Sequence, residues 1–425
     1  MRKIKNGLIL AAGDSTRFWP LKDKNFFNFL DESLILYQIK NLSFYCENIF
    51  VVVNQNNIIP IKKLLENSNL KKNCQLIIQE NLSLGQGGAI ISASKYIKGE
   101  ALIINANDYL DFSILRKIIE IKKDNSNFVF LFGKKINYYF PGGYFRFDNN
   151  RIVEVIEKPA KDNLPSNYLK LFLDYFSNLS FLVDELKKNK EITDDSYEKA
   201  LSSILKSVKS YFIEYNGYWH SLKYPWHVLL MMRIFLEKIK NSFIDKTAQI
   251  SDKAILIPPI IIKENVRIGD YVKVVGPCYL GENTIVGDYS LVRESQINSD
   301  CLIGSYSEIA RSYIGNKVFL HRNYIGDSVI DDQVMMGAQA VVANLRFNGE
   351  GVTSQINGVK VDSNLGKLGT IIGKNSKIGV NTTIFPGVKI GKNVWILPGE
   401  TVSLDIKDNI FYKKNKKRKN YYENR

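Results

Sequence analysis

Residues 8–34 read LILAAGDSTRFWPLKDKNFFNFLDESL, an apolar run that breaks into a Gly/Ser/Thr turn carrying Arg17, with Lys24 following. Residues 5–10 have the length and apolarity of a short strand. Ala12, Gly13 and Ser15 are small enough for the backbone N–H groups of the turn to close on phosphate oxygens. Arg17 and Lys24 would bring positive charge to those phosphates, so the order of parts suits a grip for a nucleoside triphosphate. A lone glycine turn with two surface cations is as often an ordinary strand-to-helix connection. The whole run is far more specific than that.

Working outward, short apolar runs at 49–53, 75–79, 101–105 and 127–132 alternate with amphipathic segments, and 111–123 has helical spacing. Alternation of this kind over residues 1 to about 240 predicts a layered α/β domain with a mainly parallel sheet. Ligands of such sheets sit at the carboxyl ends of the strands, where the turn after Leu10 lies. From about residue 241 the texture changes. Pairs of an aliphatic residue and glycine recur at Ile268-Gly269, Leu280-Gly281, Val286-Gly287, Ile303-Gly304, Ile314-Gly315, Ile325-Gly326, Met336-Gly337, Ile372-Gly373, Ile378-Gly379 and Ile390-Gly391. Their spacing predicts a β-solenoid over 241–410, with the aliphatic residue inside and glycine or a small polar residue allowing each corner. The period lapses between Val341 and Gly369, which predicts an excursion from the coils.

The chain has 425 residues, 45% hydrophobic and 24% charged. That is ordinary globular composition, in a chain too long for one core. No run approaches the ~18 apolar residues of a membrane helix, and the N-terminal apolar stretch is too short for a signal peptide. A cytoplasmic location without membrane attachment is the expectation. Cys46, Cys74, Cys278 and Cys301 lack CxxC spacing and read as buried apolar residues. The net charge of +15 is spread along a chain rich in Lys, Asn and Ile. Only the 411–425 tail, with KKNKKRK at 413–419, is densely basic, and it reads as a solvated end, so nucleic acid is not expected as a partner.

The first segment resembles the LAAGxGTR signature of the sugar-1-phosphate nucleotidyltransferases, in which Pro-Leu and a catalytic lysine follow. The resemblance puts Lys24 on that lysine. Ser15 stands where the family has its second glycine and Asp23 where it has proline. Gln79 in QENLSLGQGGAI (79–90) resembles the base-reading glutamine, with Gly85 opening the adjacent glycine turn, although Gln86 replaces a threonine. A side-chain amide offers donor and acceptor edges to a base. Asp108, ending ALIINAND, is placed as an Mg²⁺ ligand, since that ion takes few protein oxygens and keeps its waters; a lone aspartate there is more often a helix cap.

Glu157-Lys158-Pro159 matches the EKP motif of the same family, which implies Glu157 on sugar hydroxyls and Lys158 on the sugar phosphate. Gly143 in PGGYFRFD (141–148) is expected to approach the sugar, with Phe145 in the usual glycine slot. The segment SNYLKLFLD, 166–174, departs from the family. In GYWHSLKYPWHVL (217–229), Ser221 stands where the second metal aspartate is expected.

The second half resembles the left-handed β-helix of hexapeptide acyltransferases. HRNYIGDSVI (321–330) and GAQAVVANLRF (337–347) resemble the acetyltransferase part of bifunctional N-acetylglucosamine-1-phosphate uridylyltransferases, archaeal ones above all. That implies His321 as general base toward acetyl-CoA, and Tyr324, Asn344 and Lys367 as substrate contacts. Met335 replaces an asparagine of the amino-sugar site, and Ala310-Arg311 stands where basic residues are expected.

The combined expectation is an α/β Rossmann-like nucleotidyltransferase domain, a left-handed parallel β-helix and a basic tail. It would join an NTP to a sugar-1-phosphate with Mg²⁺, and assemble as a homo-oligomer, a trimer through the β-helix. Acetylation of an amino-sugar phosphate is the second expected activity. The alternative class is a catalytically weak sugar-nucleotide sensor or trimeric scaffold.

Overall fold

The computed structural model describes residues 3–21, 23–121, 128–149, 151–188 and 195–413. Contacts divide the chain into two compact units, Met1–Asp14 with Ser33–His220, and Ser15–Glu32 with Ser221–Arg425. The basic run from 414 onward lies outside the described residues.

The first unit is built on a nine-stranded sheet. Ile4–Leu10 pairs in parallel with Cys46–Val53 on one side and Ala101–Asn105 on the other, and Cys74–Ile78 extends the parallel half. These strands are apolar on both faces because helices cover both. Leu8, Leu10, Val52 and Ile103 form one buried face with Ala89 and Ile90 of the helix Gly85–Ser94.

The other half is mixed: Lys209–Glu214 pairs in parallel with Phe128–Lys135, and the remaining pairs are antiparallel. Tyr168–Phe176 runs antiparallel to Ala101–Asn105, and Gly143–Asp148 forms an antiparallel hairpin with Arg151–Glu157. The sheet is therefore mixed, because a connection as short as that between Asp148 and Arg151 can only return the chain antiparallel. The helical spacing at 111–123 resolves into a 3₁₀ turn, Phe112–Ile114, and an α-helix, Leu115–Ile121. Asp111 caps the turn, its side chain accepting from the Ser113 N–H at 2.9 Å.

The second unit contains three sheets of eight, nine and eight short strands whose pairing is parallel throughout. Successive strands of one face lie about a coil apart, as in Ile261↔Tyr279↔Gln296, the geometry of the β-helix. The interior is a column of aliphatic residues, including Ile268, Val286, Ile303, Leu320, Met336 and Ile378. The glycines beside them and the polar residues divide the corners. These glycines are not in the left-handed region; positive φ falls instead on residues such as Asn265, Tyr271, Asn283, Tyr289 and Tyr306. A Cβ on Gly281 would lie 2.6 Å from the Asn298 carbonyl carbon, and one on Gly287 2.6 Å from the Ser305 nitrogen. Close stacking of coil on coil requires these glycines. The excursion expected after Val341 contains an antiparallel hairpin, Thr353–Ile356 with Val359–Asp362.

Candidate functional sites

The turn after Leu10 is braced from beneath. The Asn54 side chain donates to the Ala12 carbonyl at 2.9 Å and that of Asn57 to the Ala11 carbonyl at 2.8 Å. The two asparagines also hold each other, Asn57 Oδ1 accepting from the Asn54 N–H and Asn54 Oδ1 from the Asn57 N–H, both at 2.9 Å. Both are buried. The Ala11 and Ala12 carbonyls are thus held by buried side chains. Gly13 is exposed and has open space around it.

Gln79 is buried at the end of its strand, and its amide nitrogen donates to the carbonyls of Asn81 (3.1 Å) and Gly85 (2.9 Å). Its donor edge therefore holds the following loop. Gly85, at φ +53°, occupies the left-handed region that favours glycine. Asp108 is buried in the strand Asp108–Tyr109. Among the described residues no three His, Cys, Asp or Glu side chains cluster as a metal cage. One carboxylate fits a magnesium ion carried in on phosphate oxygens and waters, not an ion caged by protein alone.

At the open end of the hairpin, Gly143 pairs with Glu157. A Cβ on Gly143 would lie 3.1 Å from Val155 Cγ1, 3.5 Å from Glu157 Oε2 and 3.6 Å from the Lys170 Cβ, so the backbone is closely packed here. Lys158, at φ +46°, donates its N–H to the Gly142 carbonyl, and its ammonium lies 3.4 Å from Glu157 Oε1. Phe145 is fully buried among Phe147 and Phe212, and Gly133 makes room for it, since a Cβ there would meet both Phe145 and Phe212 under 3 Å. It belongs to the core.

In the second unit, Ser15 takes the left-handed conformation at φ 58°, which explains why glycine suits that position. Its hydroxyl is 3.5 Å from Asp23 Oδ1, and the same Asp23 caps the 3₁₀ turn Lys24–Phe26 by accepting from the Asn25 N–H at 3.0 Å. The two departures from the signature are thus partners. Arg17 is exposed and Lys24 half-buried. Their segment is fastened to the coils within this unit: Trp19 Nε1 donates to Asp408 at 2.8 Å, the Leu30 N–H to Gln296 at 3.0 Å, and Gln296 to the Asn28 carbonyl at 2.8 Å. Asp31 takes an ion pair from Lys263 at 2.8 Å. Trp19, Gln296 and Asp408 carry no motif, and only the fold reveals them.

The β-helix groups Tyr324, Asn344, Asp327 and Arg311. Asn344 donates to the Tyr324 hydroxyl (3.2 Å) and to Asp327 (2.6 Å), and Arg311 grips Asp327 with two bonds of 2.7 Å. A Cβ on Gly326 would lie 2.6 Å from Asn344 Nδ2, so glycine is needed for this approach. His321 is exposed one turn before Tyr324 on this coil, with its N–H on Asn323 Oδ1. Lys367 is exposed and precedes Leu368, whose N–H bonds the Asn344 carbonyl at 3.0 Å. The four cysteines are free, and burial pushes the thiols of Cys74, Cys278 and Cys301 up to about 12. No helix of the described residues is long and apolar enough to cross a membrane.

A family model described as nucleotidyl transferase matches residues 6–222, and one described as the GMPPB C-terminal domain matches residues 238–345. The chain is 31% identical to the bifunctional protein GlmU of Methanococcus vannielii, with 96% of this chain and 98% of that protein covered. It is 33% identical to the bifunctional protein GlmU of Methanococcus maripaludis strain C7, covering 96% and 97%. With the bifunctional sugar-1-phosphate nucleotidylyltransferase/acetyltransferase of Sulfurisphaera tokodaii the identity is 32%, covering 95% and 99%.

Proposed function

The chain belongs to the nucleotidyl transferase family, and on that premise we propose that it joins an NTP to a sugar-1-phosphate, releasing pyrophosphate. It is a transferase of the sugar-1-phosphate nucleotidyltransferase type. The observation that carries the residue-level reading is the turn at Ala11–Gly13, whose carbonyls are tied inward by Asn57 and Asn54. The sugar phosphate oxygen attacks the α-phosphorus in line, and charge builds on the nonbridging oxygens. Arg17, Lys24 and Lys158 offset that charge and orient the reacting groups. Ser15 shapes the turn, Gln79 with Gly85 holds the base, and Gly143 with Glu157 takes the sugar. Asp108 would hold Mg²⁺, which supplies further charge neutralisation when bound.

The second proposed activity is acetyl transfer from acetyl-CoA to an amino-sugar phosphate at the β-helix. His321 takes a proton from the amine, and Tyr324, Asn344 and Lys367 contact the substrate. The outward column Ile285, Phe319 and Met335, each 38–42% exposed on one face of the coils, supports a homo-oligomer, read as a trimer through the β-helix. A cytoplasmic location, with neither membrane nor nucleic acid as partner, belongs to the same proposal.

The test is a panel of the four NTPs against common sugar-1-phosphates with Mg²⁺, scored for pyrophosphate, alongside CoA release from acetyl-CoA and glucosamine-1-phosphate. Pyrophosphate release is expected, with Lys24→Ala lowering it by about a thousandfold or more. Absence of turnover across the panel would return the chain to the sensor or scaffold class.

A further inference from the structure

Lys389 sits on the strand Lys389–Ile390 of the β-helix and is only 3% exposed. A buried ammonium is costly unless it is paired, and the partners of this one are specific. Its Nζ lies 3.4 Å from Asp405 Oδ2, donates to the Gln355 carbonyl on the hairpin strand Thr353–Ile356, and stands 4.7 Å from the centre of the Trp19 ring. An apolar side chain could fill this place without the cost of desolvating a charge. What the ammonium adds is direction, because it is drawn to a ring face, a carboxylate and a carbonyl at once.

The ring is held at its edge as well. Trp19 Nε1 donates to Asp408 Oδ1 at 2.8 Å, and the same oxygen accepts the Lys392 N–H at 2.8 Å. Asp405 is fixed likewise, its Oδ1 accepting the Lys389 N–H at 2.8 Å. Both carboxylates are therefore anchored to the backbone of the coils. Two glycines permit the close approach: a Cβ on Gly391 would lie 2.5 Å from Asp408 Oδ1, and one on Gly373 would lie 2.9 Å from the Pro20 carbonyl oxygen. The face of Trp19, its edge and the backbone that follows it are all set by the late coils.

Trp19 in turn closes the 3₁₀ turn Thr16–Phe18, its N–H directed at the Thr16 carbonyl at 3.5 Å. Arg17 is the middle residue of that turn and is exposed, so the reach of its guanidinium depends on where the turn stands. A single turn has little rigidity of its own. We propose that Lys389, Trp19 and Asp408 are positioning residues for nucleotidyl transfer, holding the Arg17 turn against the β-helix. This rests on the assignment of Arg17 to the NTP phosphates. The coils then serve the nucleotidyl reaction itself, in addition to assembly and acetyl transfer.

The test is a double-mutant cycle on the full chain, read in kcat/KM for the NTP by pyrophosphate release. Lys389→Met, similar in length and without charge, should lower it about tenfold, the scale of a small misplacement of a charged group. Lys389→Arg, which keeps a cation over the ring, should retain most of the activity. In an Arg17→Ala background the Lys389→Met change should cost under about twofold, because the group it places is gone. Trp19→Phe, which deletes the bond to Asp408 and keeps a ring, repeats the cycle should Lys389→Met fail to fold. Equal losses in the two backgrounds would mean a structural role alone and would overturn the proposal, as would an unchanged kcat/KM in a folded Lys389→Met protein. The same cycle in NTP affinity, by calorimetry, separates the two readings. A wild type that binds NTP without releasing pyrophosphate sinks the transferase reading, and coupling of Lys389 to Arg17 in that affinity leaves this one standing; additive effects on affinity sink this one alone.

Discussion

The candidate sites of the two units are built by opposite means. In the β-helix a site residue is placed by its register in a repeated coil: Tyr324 faces out while its neighbour Ile325 is fully buried in the aliphatic column. Position and stability are divided between adjacent residues. In the α/β unit the corresponding side chains lie at the ends of separate strands, and their loops are held by polar side chains such as Asn54, Asn57 and Gln79. There one side chain both stabilises the fold and shapes the site. Repetition separates the two tasks, and a strand-end site merges them.

The largest effect that would break this comparison lies in the coils. Ile325→Ala should destabilise the β-helix by about 2–5 kcal/mol, from lost transfer energy and the cavity left behind. Tyr324→Phe should cost no more than about 1 kcal/mol, the worth of the bond its hydroxyl accepts from Asn344, yet lower CoA release with glucosamine-1-phosphate. Thermal unfolding and CoA release of the two variants check both statements. If Tyr324→Phe destabilised the coils as much as Ile325→Ala, the division of tasks would be false.

A smaller effect tests the merged case. Asn57→Ala leaves the Ala11 carbonyl and the Asn54 backbone short of partners in a buried place, at a cost of about 1–3 kcal/mol. NTP affinity, measured by titration calorimetry, should fall in the same variant. Lost stability with unchanged NTP affinity would show that the turn does not depend on its brace.

What was legible in the sequence follows the same division. The coils could be read because aliphatic residues recur at a fixed spacing, and the parallel half of the first sheet because its strands are continuous apolar runs. What the coil glycines do could not be told from the sequence: a glycine signals either positive φ or close approach, and only the neighbouring coil, some 17 or 18 residues away in pairs such as Tyr279↔Gln296 and Ile260↔Cys278, decides which. Asn54 and Asn57 were invisible because their carbonyl partners lie 42 and 46 residues earlier. The attachment of the Trp19–Asp31 stretch to Asp408, Gln296 and Lys263 spans more than 230 residues, and no local pattern encodes it. Lys389 was hidden for a related reason: a buried charge looks like any surface charge until its neighbours are known.

The smallest effect uses pH. His227, fully buried at the start of helix His227–Leu236, has Nδ1 at 2.8 Å from the Ser221 carbonyl, and burial pushes its imidazole from 6.5 down to about 4. A depressed basic group binds protons more readily in the unfolded chain. Its contribution is therefore complete above pH 6.5 and is lost as pH falls toward 4. At pH 6 the loss should still be under about 1 kcal/mol, rising by roughly 1.4 kcal/mol per unit below that. Following the second unit's unfolding transition from pH 8 to 5, in the wild type and in His227→Gln, isolates the group: the variant should show the shallower slope. Parallel slopes would mean that His227 does not couple the folding of its unit to pH.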